Sequence, residues 1–172
     1  CDRPGLLEDE TARLARSYGH EIIGGRHHYW RLGQPIWSTL RRHERAGLQY
    51  DSSIAFNEVP GFRLGIGYPF FPWDPEQQRA LTTLQIPVCV MDGALLYDPA
   101  ATVEEAVGRF EDLLTLMKAH EVTAAIDWHV RASWSPPSQP SRYADAYASI
   151  LTMLAEDSDV DVTTPTQLLA SR

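Results

Sequence analysis

The stretch LQIPVCVMDG, residues 84–93, decides how this chain is read. Its first eight residues form a nearly continuous apolar run, the pattern of a strand buried on both faces. Strands of that kind belong to parallel sheets covered by helices, and the flanking sequence supplies helices on both sides. Downstream, Thr102-Val103-Glu104-Glu105 places an acid at the third helical position behind a capping threonine. Val103, Ala106, Val107, Phe110, Leu113, Leu114 and Met117 then follow in steps of three and four, one core-facing stripe. Residues 122–128 read as the next strand. Tyr143, Ala146, Tyr147, Ile150, Leu151 and Leu154 mark another helix face, residues 160–163 a last short strand, and Thr164-Pro165 the start of a closing helix through Leu168 and Leu169.

Upstream, Leu6, Leu7, Leu14 and Ala15 predict an amphipathic helix between Gly5 and Tyr18, followed by a short strand at 21–24. Pro35 suits a first helical turn and predicts a helix through Ile36, Trp37 and Leu40 that stops at Gly47. Residues 48–54 read as a strand, and 57–75 as a long irregular stretch rich in proline, glycine and aromatics. About five strands, each beside a helix, imply parallel pairing with crossovers. A closed (β/α) barrel needs about eight strands. The first element is a helix with no strand before it, so the expectation is an α/β fold, a partial barrel whose early strands are missing, with residues 1–172 forming one incomplete domain.

Composition narrows the function classes. The chain has 172 residues and a formal charge of −8, from 15 basic and 23 acidic side chains. An acidic chain lacks the basic stripe that nucleic acid requires, so no nucleic-acid partner is expected. No apolar run approaches the roughly 20 residues that span a bilayer. Cys1 and Cys89 make no disulfide framework and no zinc-finger spacing; Cys89 reads as a buried core thiol. Without a tether-like linker after Cys1, a cleaved lipoprotein is a poorer reading than a chain cut from something longer. No targeting segment is visible, which leaves the compartment open.

In parallel α/β architectures functional groups gather at the carboxyl ends of strands. This sequence puts Arg26, His27, His28, Tyr29, Trp30 and Arg31 after the first strand, and Tyr50, Asp51, Ser52 and Ser53 in or after the second. Asp92-Gly93 follows the third, and Asp127, Trp128, His129 and Arg131 close the fourth. Asp127 and His129, two apart, share a face if extended, with Trp128 opposite. His27 and His28 point to opposite sides. Asp92-Gly93 also reads as a plain turn, and Asp51 as a loop cap. Phe62, Tyr68, Phe70, Phe71 and Trp73 either pack the long loop or wall a sugar groove. His20, His43 and His120 show no partner pattern and read as structural or exposed. Glu8-Asp9-Glu10 and Glu156-Asp157 read as solvated helix faces.

Taken in order, GGRHHYWRL, LQYDSSIAFNEVPGFRLG, YPFFPWD, IPVCVMDGALL and the strand ending in IDWH resemble the polysaccharide deacetylase family, the NodB-like carbohydrate esterases. The likeness runs over most of the chain, from about Glu8 to Leu169. It implies a distorted (β/α) barrel and hydrolysis of N-acetyl groups on sugars, or of other non-peptide C–N bonds. It further implies zinc or another divalent metal, held by one Asp and two His, that polarises the amide carbonyl and activates water. By this resemblance His129 is the general acid that protonates the leaving amine, and Arg26 shapes one wall and helps orient the base. Asp51 falls near the motif of the other wall, while His28 and Tyr29 border the site. Trp73, Asp92 and Asp127 complete the expected substrate contacts, with an acetylated amino-sugar or polysaccharide as partner.

The departures are as informative. The paired-aspartate motif and the two-histidine metal motif have no match, so the metal ligands are expected upstream and none is assigned in this chain. The expected unit is the carboxyl-terminal portion of a deacetylase domain, inactive alone. Two other readings compete: a carbohydrate-binding pseudoenzyme that kept the groove, and a self-contained metallohydrolase using Asp127, His129, His28 and Asp51.

Overall fold

The computed structural model describes residues 5–134, 136 and 141–171. Cys1 lies outside them. The fold is mixed α/β, with small parallel sheets and no closed barrel among the described residues. Helix α1 covers Leu6–Tyr18, and Gly19 ends it in a left-handed conformation that costs glycine nothing. Strand β1 is Gly24–Gly25 and helix α2 is Ile36–Arg45. Strand β2 is Tyr50–Asp51, β3 is Trp73–Asp74, β4 is Arg79–Ala80, and β5 is Leu84–Gln85. Strand β6 is Val88–Met91, α3 is Asp92–Leu95, α4 is Val103–Ala119, and β7 is Ala125–Asp127. Helices α5, Arg142–Glu156, and α6, Pro165–Ala170, close the chain.

The expected helices form where the periodicity puts them. Thr102 and Glu105 make the capping box of α4, and Thr164 with Gln167 makes a second one on α6. The α4 stripe buries Ala106, Phe110, Leu113 and Leu114 against α3 and α5, in one core with Cys89 and Val90 of β6. Leu95, Leu96, Cys89 and Ile150, each at most 1% exposed, lie at the centre of this core. Burial there pushes the Cys89 thiol up to about 12, so it stays an inert apolar group.

The strands differ from expectation in instructive ways. The 84–91 run is two strands, because Pro87 has no N–H to give a ladder. Before it, Ile86 N–H donates to Asp51 at 2.9 Å; after it, the chain turns to β7, whose Ala125 N–H donates to the Pro87 carbonyl at 2.8 Å. Two parallel sheets result, β1-β2-β5 and β6-β7, rather than one. The strand expected at 48–54 stops at Asp51, whose carboxylate bends the chain by accepting the Ser53 backbone N–H at 3.0 Å. The strand expected at 21–24 shifts to Gly24–Gly25, and the one at 122–128 shortens to Ala125–Asp127. Residues 160–163 form no strand: Val162 is 71% exposed, and no neighbouring strand pairs with the segment.

The irregular stretch ends in an antiparallel hairpin, β3–β4, that periodicity did not reveal. It is fastened to α2 by charges. The buried Asp74 carboxylate forms an ion pair with Arg41 Nε at 2.7 Å and accepts two turn N–H groups, Glu76 and Gln77. Arg79 forks onto Glu44, a bond that holds the Glu44 carboxyl down at about 2. On the solvated surface expected for Glu156-Asp157, Asp157 pairs with Lys118 through both oxygens, at 2.9 and 2.7 Å. Among the described residues no helix is long and apolar enough to cross a membrane.

Candidate functional site

Parallel pairing sends the carboxyl ends of β1, β2, β6 and β7 into the segments that carry the polar residues. Asp92 is the first residue of α3, directly after β6, and His129 stands two residues beyond β7. Strands β6 and β7 pair in parallel, with Met91 opposite Asp127. That register brings His129 Nδ1 to 2.8 Å from Asp92 Oδ1 and 3.1 Å from Oδ2. Asp92 is 3% exposed and also accepts the Gly93 N–H. An ionised carboxylate only accepts, so Nδ1 carries the proton and Nε2 is the nitrogen left to exchange one. Asp92-Gly93, which also reads as a plain turn, instead opens α3, and Asp92 is the side-chain partner of His129.

Arg26, just past β1, forms an ion pair with Asp127 at the end of β7. Its guanidinium also lies 5.5 Å from the centre of the Trp30 ring. Asp127 and His129 thus have different partners, although both sit at the end of one strand. Trp128 turns the other way, as alternation predicts, and stacks on Tyr147 at 5.1 Å.

A third cluster forms at the ends of β1 and β2. Asp51 is 1% exposed and accepts Ser53 Oγ–H at 2.6 Å. His43, fully buried on α2, places Nδ1 3.6 Å from Asp51 Oδ1 and Nε2 2.7 Å from His27 Nε2. The Ser53 hydroxyl oxygen also accepts the His27 backbone N–H at 2.8 Å. Burial brings His43 down to about 4 and, with neighbouring His43, lowers His27. Burial raises Asp51 to about 6 against the pull of its Ser53 hydrogen bonds. Both imidazoles are therefore neutral near pH 7.

His28 and Tyr29 stack on each other at 4.1 Å on the exposed loop after β1. Tyr29 and Trp30 both take positive φ there, 58° and 49°, a conformation that side chains resist. Trp73 joins none of these clusters; it stands 58% exposed on the hairpin. Tyr68 and Phe71 are also exposed, while Phe62 packs against the core.

Sequence reasoning missed His43. The signal was there: with Thr39 and Leu40 it makes the buried face of α2 at helical spacing. The four residues of the self-contained metallohydrolase each have another partner: Arg26 pairs with Asp127, Asp92 holds His129, Tyr29 stacks on His28, and Ser53 holds Asp51. Among the described residues no group of three or more His, Cys, Asp or Glu is placed to hold a metal ion.

No family model matches the chain, and no curated protein matches it.

Proposed function

We propose that the chain carries the acid side of a carbohydrate N-deacetylase site, hydrolysing the amide of an acetylated amino-sugar. The observation that carries this reading is the His129–Asp92 dyad beside the Arg26–Asp127 pair at the ends of parallel strands. Asp92 holds the imidazole with Nδ1–H inward and stabilises the ring when Nε2 is also protonated; that Nε2–H is given to the amine nitrogen as the C–N bond breaks, leaving His129 neutral. Arg26, held by Asp127, supplies a fixed positive charge beside the reacting amide. The described residues offer a divalent cation no ligand set, so on this reading any metal belongs to residues outside them. The resemblance of the GGRHHYWRL and IDWH blocks to NodB-like deacetylases supports the same assignment.

The test is a panel of N-acetylated oligosaccharides, followed by chemical shifts and acetate release with and without added zinc. The expected result is binding that moves His129 and Arg26 signals and is weakened by Arg26→Ala. A panel with neither binding nor acetate release would sink the assignment. Exposed Tyr68, Phe71 and Trp73 favour a second reading, a carbohydrate-binding module without turnover. Binding through these rings, with no acetate released under any metal condition, would select it.

A further inference from the structure

Arg26 and Trp30 both follow β1, yet both reach across to the β6-β7 sheet. Along β7 and its flanks, Ala124, Ile126 and Trp128 pack against the core of α4 and α5. Alternation turns Ala125 and Asp127 to the other face. On that face Trp30 is buried in a small core with Ala55, Val88, Met91 and Ala125. Arg26 meets Asp127, one strand period beyond Ala125. The two side chains therefore lie side by side, with the guanidinium 5.5 Å from the centre of the Trp30 ring. That distance is within reach of a cation–π contact.

Keeping an indole at this place is unfavourable on two counts. Tyr29 and Trp30 take positive φ, 58° and 49°, so that the ring can turn inward. The indole N–H is buried with no hydrogen-bond partner among the described residues, a penalty that leucine or phenylalanine would avoid. Apolar packing alone does not require that group. What the indole adds is its electron-rich face, the best of the aromatic rings at holding a cation. The cation needs holding. Among the described residues the buried Asp127 carboxylate pairs with Arg26 alone, and Arg26 pairs with no other carboxylate.

We propose that Trp30 is a positioning residue, whose ring holds the Arg26 guanidinium against Asp127 and so fixes a cation between the ends of β1 and β7. Without that face Arg26, whose side chain is partly exposed, turns toward water. Its consequence for amide hydrolysis rests on the function proposed above; the positioning itself does not.

The test begins with the wild-type chain labelled with 15N-arginine. The Arg26 side-chain protons should carry the upfield shift of a group held over an indole face; shifts at their unfolded-chain positions overturn the proposal. Trp30→Leu keeps the apolar bulk and removes the face, while Trp30→Phe keeps a weaker face and removes the orphaned N–H. In variants shown to fold by circular dichroism, Arg26 Nε–H exchange should be about fivefold faster with leucine, with phenylalanine in between. Equal rates in a folded leucine variant and the wild type overturn it. Binding of N-acetylated oligosaccharides supplies the functional readout. Trp30→Leu should weaken it as Arg26→Ala does and add no further loss to Arg26→Ala. Additive losses would show that Trp30 acts other than through Arg26. A wild-type chain that binds no such sugar sinks the proposed function and leaves the exchange result to decide Trp30.

Discussion

His129 Nδ1 donates to both oxygens of Asp92, at 2.8 and 3.1 Å, across the ends of two paired strands. A charge-assisted bond to a carboxylate that is 3% exposed is worth more than its surface counterpart. Replacing it with Asp92→Asn is expected to cost about 1–3 kcal/mol of folding stability. Imidazole 15N shifts should also show His129 leaving the single tautomer in which Nδ1 carries the proton. Urea denaturation within 0.5 kcal/mol of wild type would mean the pair is not formed in solution.

Arg142, the first residue of α5, ties down the loop between α3 and α4. Its Nη1 donates to the carbonyls of Asp98, Pro99 and Ala101 at 3.1, 2.8 and 2.8 Å. Its Nη2 reaches Leu96 at 3.3 Å, while Arg109 holds Leu95 at 2.8 Å. Arg142→Met keeps the stem but strands these acceptors, and a loss of about 2–3 kcal/mol is expected by chemical denaturation. Arg142→Lys should recover only part of it, because one ammonium cannot copy a planar fork. Full recovery by lysine would show that charge alone matters.

Helices were legible in the sequence because their signal is local: the α4 stripe and both capping boxes need no distant partner. Strand limits were not, because a two-residue strand such as Tyr50–Asp51 exists only through its neighbours. The hairpin was hidden because charge holds it, through Asp74 and Arg41, rather than apolar alternation. At the site, the polar residues clustered at strand ends as expected, but pairing depends on register. Nothing in the spacing of Asp92 and His129, or of His27 and His43, announces that they touch.

Trp73 separates structure from binding. Its side chain is 58% exposed on a hairpin anchored by other residues, so Trp73→Ala should change stability by less than about 0.5 kcal/mol. If the ring is a sugar platform, the same variant weakens binding of N-acetylated oligosaccharides about tenfold, or about 1.4 kcal/mol. Calorimetry reads both. Unchanged affinity removes Trp73 from the binding surface and with it the main support for a non-catalytic module.

The buried cluster predicts an unusual pH response. His43 titrates near 4 in the folded chain against 6.5 when unfolded, so the unfolded state binds more protons between those values. Its contribution is present above 6.5 and is lost as pH falls toward 4. Asp51 runs the other way: its folded value of about 6 lies above the usual 3.8, so the folded state binds more protons between them. That contribution is present below 3.8 and is lost as pH rises through 6. Between 4 and 6 the two slopes oppose, and the wild-type urea midpoint should move little on their account. Asp51→Asn leaves His43 unopposed, so its midpoint should fall more steeply than wild type from pH 7 to 5. His43→Gln leaves Asp51 unopposed, so its midpoint should fall less than wild type, or rise, over the same range. Variants with parallel profiles would mean the two groups do not titrate in the folded chain as their burial dictates.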